Sequence, residues 1–268
     1  MTHPRRHSPQ VVAHRGASEE APEHTLAAYV KAIEDGADAL ECDVRLTADG
    51  HLVCVHDRRV NRTSNGRGAV SGLELADLSA LDFGSWKDSR ESPDWEGPEY
   101  TSVLTLERLL ELVVDAGRRV ELAVETKHPT RWAGRVEERL VRLLRRFGLA
   151  DPPAPAESAV RVMSFSPRSL QRVTALAPAL PTVYLTQFVA PRPREGRLPG
   201  GARIAGPSIR IVRNHPAYVQ RLHDAGLQVH VWTVDAPEDV DLCARLGVDA
   251  VITNRPGRVL AQLGRAPR

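Results

Sequence analysis

Residues 11–57 read VVAHRGASEEAPEHTLAAYVKAIEDGADALECDVRLTADGHLVCVHD, and this stretch carries both the fold signal and the chemistry. It opens on a short apolar strand, Val11–Ala13, that runs into His14-Arg15-Gly16. A helix follows over Thr25–Glu34, with Leu26, Tyr29, Val30 and Ile33 on one face. Two more apolar strands, Ala39–Leu46 and Leu52–His56, complete the stretch. In parallel α/β folds, active sites assemble at the C-terminal tips of strands. A base and a fixed cation at such a tip are therefore site candidates; a surface His and Arg at a turn is the plainer alternative.

Working outward, apolar runs keep alternating with helical stretches. Further strands are expected at Val120–Glu125, Val160–Phe165, Thr182–Thr186, Arg203–Ala205, Val229–Val234 and Ala250–Thr253. Helices fit between them at Leu104–Ala116, Arg131–Phe147, Pro167–Ala177, Pro216–Ala225 and Pro237–Leu246. This alternation implies a parallel sheet, open or closed into a barrel. The nine strand candidates exceed the eight of a barrel by one, and Arg203–Ala205 is the weakest, so it is expected to be peripheral. Residues 1–10 read as a disordered tail and 11–262 as a single domain. Two loops are long: an insertion near 64–102 carrying Trp86 and Trp95, expected to pin the loop to the barrel, and a Pro/Arg-rich stretch over 190–201.

Composition narrows the class. Across 268 residues, 42% are apolar and 26% charged, which suits a globular chain. A net charge of +2 and 4% aromatics argue against a nucleic-acid partner. Cys42, Cys54 and Cys243 have no CxxC spacing, so neither a zinc ribbon nor a disulfide framework is expected. No apolar run approaches the roughly 18 residues of a membrane span. The basic N-terminus lacks the apolar core of a signal peptide, and a cytoplasmic location is expected.

The chemistry concentrates at strand ends. Side chains alternate along a strand, so Glu41 and Asp43 share one face and Cys42 and Val44 the other. Two buried carboxylates on one face need a cation or protons, and hard divalent ions take such oxygen ligands. A salt bridge to Arg45 on the same face is the alternative. Asp49-Gly50 between two apolar runs signals a two-residue hairpin turn. In that register Asp43 lies opposite His56, with side chains about 5 Å apart. Glu125 ends another strand, and Lys127 follows on the same side. Trp232 sits on a late strand, where an aromatic is ordinarily core. Two His, one Arg, one Lys and three acids suit a phosphodiester on a metal, one His deprotonating the nucleophile and the other protonating the leaving alkoxide.

At these residues the sequence resembles the glycerophosphodiester phosphodiesterase family. The matching pieces are HRG at 14–16, PEHT at 22–25, GADALECDVRLTADGHLVCVHD at 36–57 and NRTSNGRG at 61–68. They continue with VLTLERLLEL at 103–112, VETK at 124–127, VWTVDAPEDV at 231–240 and GVDAVITNRP at 247–256. The resemblance implies a TIM barrel of the phospholipase C-like phosphodiesterase type. It also implies that Glu41, Asp43 and Glu125 are metal ligands and that His14 and His56 are the acid/base pair. By the same resemblance, Arg15 and Lys127 contact phosphate, and Trp232 lies near the substrate. The family's PENT reads PEHT here: Glu23 is kept as a supporting residue, and His24 replaces the Asn, changing the local hydrogen bonding.

The resulting expectation is an enzyme that hydrolyses a small glycerophosphodiester to sn-glycerol 3-phosphate and an alcohol with one divalent ion, Mg²⁺ or Ca²⁺. The nucleophile is either water or the vicinal glycerol hydroxyl, which would give a cyclic phosphate first. Two alternatives accompany it: lysophospholipase D-type cleavage of a lipid diester, and a non-catalytic phosphate-ligand binder.

Overall fold

A computed structural model of the chain describes residues 8–87, 97–132, 134–189 and 198–265. Trp95, residues 190–197 and most of the expected tail lie outside them, whereas Gln10, assigned to that tail from sequence, opens the first strand. In chain order the elements begin β1 (Gln10–His14), α1 (Leu26–Glu34), β2 (Ala39–Leu46), β3 (Leu52–Cys54), α2 (Leu75–Ser79) and α3 (Leu106–Val114). They continue through β4 (Glu121–Thr126), α4 (Arg135–Arg146), β5 (Val160–Ser164), α5 (Pro167–Leu176), β6 (Thr182–Thr186) and β7 (Ile204–Pro207). The last are α6 (Ile209–Asn214), α7 (Ala217–Asp224), β8 (Gln228–Trp232), α8 (Pro237–Leu246), β9 (Ala250–Thr253) and α9 (Pro256–Gln262).

Every strand except β3 runs parallel to its neighbours, and β9 pairs back onto β1, so eight strands close into a TIM barrel. Local sequence starts the helices where expected. The Thr25 hydroxyl accepts the Ala28 N–H at the head of α1, and Ser166 followed by Pro167 opens α5. Helix α3 turns Leu106, Leu109, Leu110 and Val113 inward at helical spacing, into one buried cluster with Leu40, Cys42 and Val44 of β2. The opposite face of β2 looks into the barrel. Val12, Ala39, Ala123, Met163, Val183, Ile204 and Ile252 fill the interior. Gln10, Glu121 and Arg161 close its N-terminal end through hydrogen bonds of 2.8–2.9 Å. With the floor sealed, the open end is the one carrying the C-terminal strand tips.

Two expectations are corrected. The strand outside the barrel is β3, not the one near Arg203–Ala205. Strand β7 is buried throughout and pairs with β6 and β8. Its Gly206 admits close approach: a Cβ there would stand 2.6 Å from Leu185 Cδ2. Strand β3 cannot join a parallel barrel, because a parallel neighbour needs a crossover of a dozen or more residues. The hairpin register also differs by one. Val44 faces Cys54 and Leu46 faces Leu52, so partners sum to 98 and Asp43 lies level with Val55, whose N–H reaches the Asp43 carbonyl at 3.0 Å. The turn holds three residues, with Gly50 at φ 91 in the left-handed position that such loops require.

Beyond His56 the insertion forms short 3₁₀ turns and α2 around its own core of Val53, Val55, Val60, Val70, Leu78 and Phe83. Trp86 does not plug the barrel. It is 38% exposed and its indole N–H bonds the Phe83 carbonyl at 2.9 Å, holding the insertion to itself. Among the described residues, no helix is long and apolar enough to cross a membrane.

Candidate active site

The β1 tip delivers His14 to the barrel mouth, and the chain then turns through two left-handed residues, Arg15 at φ 59 and Gly16 at φ 84. Gly16 is required there, because a Cβ would lie 2.6 Å from the Ala28 backbone of α1. Parallel pairing sets His14 beside Glu41 and Asp43 beside Glu125. Barrel closure therefore gathers what alternation along each strand had only put on one face. Glu41, Asp43 and Glu125 are buried, each offering an oxygen within 4.8 Å of the others.

The cations surround this trio. Lys127 Nζ lies 3.0 Å from Asp43 Oδ1 and 2.9 Å from Glu125 Oε1. Arg15 Nε is 3.2 Å from Asp43 Oδ2, its backbone N–H bonds Glu41 at 3.0 Å, and its Nη1 bonds Glu23 at 3.0 Å. Arg45, weighed from sequence as the partner of the acids, reaches past them and donates to the His56 carbonyl at 3.0 and 2.6 Å. Burial alone would raise Asp43, but Lys127, His24 and Arg15 hold its carboxyl well below the ordinary range. Burial and the neighbouring Asp43 charge instead push Glu41 well up and Glu125 to about 8. Three buried acids within 4.8 Å of one another gain from added positive charge, and an all-oxygen set of this kind could hold a hard divalent cation.

His14 and His56 line one cavity of about 130 Å³, together with Arg15, Glu41, Glu125 and Lys127. Its opposite wall is apolar: Met163, Phe165, Leu185, Trp232 and Ile252. Trp232 is pinned there by its indole N–H on the Gly206 carbonyl at 2.7 Å and by edge contact with Phe165 at 5.4 Å. Larger surface cavities, of about 510 Å³ beside the insertion and about 500 Å³ at the barrel floor, contain no comparable cluster among the described residues.

The groups behind the two imidazoles differ. His14 Nδ1 lies 2.7 Å from Asn254 Oδ1, an atom that only accepts, so Nδ1 carries the proton and Nε2 keeps a free lone pair. Asp235 fixes that amide by accepting from Asn254 Nδ2 at 2.6 Å and from its backbone N–H at 2.8 Å. His56 Nδ1 lies 2.7 Å from Asp57 Oδ1, and His56 likewise turns Nε2 outward. Burial and the Arg15 charge push His14 down to about 4. Burial also lowers His56, against the pull of Asp43 and Asp57.

Of the residues named from sequence, His14, Arg15, Glu41, His56, Glu125, Lys127 and Trp232 line this cavity, Asp43 lies behind them against Arg15 and Lys127, and Glu23 is bonded to Arg15; His56 gets there by a different route. It is not opposite Asp43 on a ladder; the chain leaves the strand after Cys54 and swings His56 in. Sequence reading missed Asn254, Asp235 and Asp57 as the groups behind the imidazoles, and gave His24 no role. Adjacency signalled Asp57 in the His56-Asp57 pair, while Asn254 lies in the matched TNRP and Asp235 in the matched VWTVDAPEDV, though neither match says what the residue touches. His24 is buried at φ 62, a backbone region in which Asn and His are both enriched. Its Nε2 lies 2.9 Å from Asp43 and its Nδ1 lies 2.9 Å from the Tyr29 hydroxyl.

Fold and site together define a barrel hydrolase built around an acid cluster and two histidines. The family model described as "Glycerophosphoryl diester phosphodiesterase family" matches residues 14–258. A Mycobacterium tuberculosis protein called "Probable glycerophosphodiester phosphodiesterase 1" is 48% identical over 260 residues, covering 96% of this chain and 94% of that protein. A Bacillus subtilis glycerophosphodiester phosphodiesterase is 35% identical, covering 91% of this chain and 83% of the relative. Among solved structures, an Oleispira antarctica phosphodiesterase in complex with its product sn-glycerol-3-phosphate superposes with a TM-score of 0.82 at 26% identity, covering 96% of this chain and 97% of that one. The chain belongs to the glycerophosphoryl diester phosphodiesterase family and is an enzyme of that class.

Proposed function

We propose that the protein, as one domain over 11–262, hydrolyses glycerophosphodiesters to sn-glycerol 3-phosphate and an alcohol. The observation that carries this is the shared cavity: two imidazoles, two fixed cations and the acids Glu41 and Glu125 line the same 130 Å³, with Asp43 within 4.8 Å of both acids. Glu41, Asp43 and Glu125 would hold one divalent ion, Mg²⁺ or Ca²⁺, which when bound supplies positive charge for the phosphoryl oxygens. Arg15 and Lys127 contact the same phosphate, and Glu23 holds Arg15 in place. His14, neutral and backed by an amide, takes the proton from the attacking hydroxyl. His56, backed by the Asp57 carboxylate, which favours an imidazolium, gives a proton to the departing alkoxide. Trp232 and Phe165 pack against the carbon skeleton of the substrate. The three cysteines are buried free thiols, which suits a reducing, cytoplasmic location.

Release of sn-glycerol 3-phosphate from glycerophosphocholine, with metal-stripped protein and Mg²⁺ or Ca²⁺ added back separately, tests the reading. Turnover restored by either ion supports it; tight binding without turnover would leave a phosphate-ligand binder. A lipid diester is the second reading, drawn from Phe188 and Val189, 79% and 42% exposed just beyond the cavity-lining Gln187. Faster cleavage of a lysophospholipid than of glycerophosphocholine would favour it.

A further inference from the structure

Arg62 lies outside the cavity, on a 3₁₀ turn (Val60–Arg62) that leads into the insertion. Its guanidinium nevertheless touches two acids that each hold a site residue. Nε donates to Asp57 Oδ2 at 2.7 Å, while Nη1 and Nη2 fork onto Glu23 at 2.9 and 2.7 Å. Asp57 uses its other oxygen, Oδ1, for the His56 ring at 2.7 Å. Glu23 Oε1 also receives Arg15 Nη1 at 3.0 Å. The Trp86 ring of the insertion lies 5.9 Å from the guanidinium carbon.

The geometry points to Arg62 as a positioning residue for the reaction: one guanidinium sets the His56 ring through Asp57 and the Arg15 side chain through Glu23. The inference rests on the proposed role of His56. Two features carry it. Glu23 and Asp57 come from different loops, one after β1 and one after β3, and among the described residues the other side-chain donor is Arg15 for Glu23 and His56 for Asp57. Without the cation between them, two carboxylates would repel, and each would be left with a single side-chain partner, Arg15 for Glu23 and His56 for Asp57. The contact set also uses both the fork and the Nε edge of a planar guanidinium, which a lysine ammonium cannot reproduce. The Arg62 side chain is 43% exposed, so its place in the loop is set by these polar contacts and not by core packing.

The experiment compares Arg62→Gln, Arg62→Lys, Asp57→Asn and His56→Ala on two glycerophosphodiesters, with choline and with p-nitrophenol as leaving group. Nitrophenolate leaves without a proton, so defects that act through His56 shrink on the second substrate. The expected result for Arg62→Gln is a kcat loss of about 10–100-fold on glycerophosphocholine, part of the roughly 10²–10⁴-fold that a general acid contributes. That loss falls at least fivefold on the nitrophenyl diester, and KM rises through the loosened Arg15. Lysine restores little, and adding Asp57→Asn to Arg62→Gln costs no more than the larger single loss. Ring ¹⁵N shifts of His56 report the same event without turnover, as loss of the ordered Nδ1–H···Asp57 bond in both Arg62 variants. Wild-type kcat and an unchanged His56 spectrum in Arg62→Gln would overturn the inference. So would an equal loss on both substrates accompanied by a fall in Tm. If His56→Ala itself keeps wild-type kcat, the acid/base reading fails; if His56→Ala is crippled while Arg62→Gln is normal, only the inference about Arg62 fails.

Discussion

His24 Nε2 stands 2.9 Å from Asp43 Oδ2, so the residue that departs from the family's usual Asn is bonded to the central acid of the site. Tyr29 connects the same ring to the strand by donating its hydroxyl to the Glu41 carbonyl at 3.0 Å. The column runs from helix α1 to the acid cluster and is buried throughout.

His24→Leu is therefore expected to leave Asp43 short of one partner and destabilise the protein by about 1–3 kcal/mol, the cost of an unmet buried polar group. Divalent-ion affinity should fall about tenfold or more, since the acid loses its fixed orientation. His24→Asn, compatible with the left-handed backbone, should lose less of both. Chemical denaturation and ion titration by calorimetry give the two numbers.

The acid trio sets an unusual pH dependence. The Asp43 carboxyl is depressed, so its contribution is present at neutral pH and is lost as pH falls through its folded value. Glu125 works in the opposite direction. It is raised from 4.5 to about 8, so the metal-free protein loses stability as pH rises between those values. A divalent ion relieves that penalty. The thermal shift caused by Mg²⁺ or Ca²⁺ should grow from pH 5 to pH 8, and Glu125→Gln should flatten the rise. Melting curves with EDTA and with each ion check both outcomes.

Replacing Asp57 by Asn removes the charge behind His56 while keeping an acceptor for Nδ1–H. An imidazole without that carboxylate holds its proton less tightly, and a general acid must be protonated to act. The alkaline limb of the kcat profile is expected to move to lower pH, with kcat reduced about 10–100-fold. An alkaline limb in the wild-type position would show that His56 does not titrate as the acid.

Gly16→Ala should be among the most damaging small substitutions. The residue sits at φ 84 and a Cβ would meet Ala28 atoms at 2.6 Å. Strain of this kind costs on the order of 1–3 kcal/mol before any displacement of α1. The turn also aims His14 and Arg15, so kcat should drop along with the unfolding midpoint. An intact midpoint with normal kcat would mean that the turn relaxes freely.

Much of this was legible in the linear chain, for a physical reason. Strand alternation is local, so Glu41 and Asp43 had to share a face, and a Gly after His14-Arg15 had to mark a sharp turn. The strand–helix alternation is equally local and gave a parallel sheet. The hairpin register was not local enough. Asp49-Gly50 fits a two-residue turn or, with Gly50 left-handed, a three-residue one, and the second also gains the Thr47 hydroxyl as acceptor for the His51 N–H at 2.8 Å. The standing of β7 was missed because a short strand containing Gly and Pro scores poorly alone, yet a barrel supplies partners on both of its edges.

By itself, then, the sequence determined the residue types, their faces and the order of the strands. Tertiary structure decided which groups stand behind them. Asn254 meets His14 across 240 residues only because β9 closes onto β1. Arg62 reaches Glu23 and Asp57 only because two loops converge at one rim. Backing groups of this kind are selected by closure of the barrel, and closure is a property of the whole chain that no local spacing encodes.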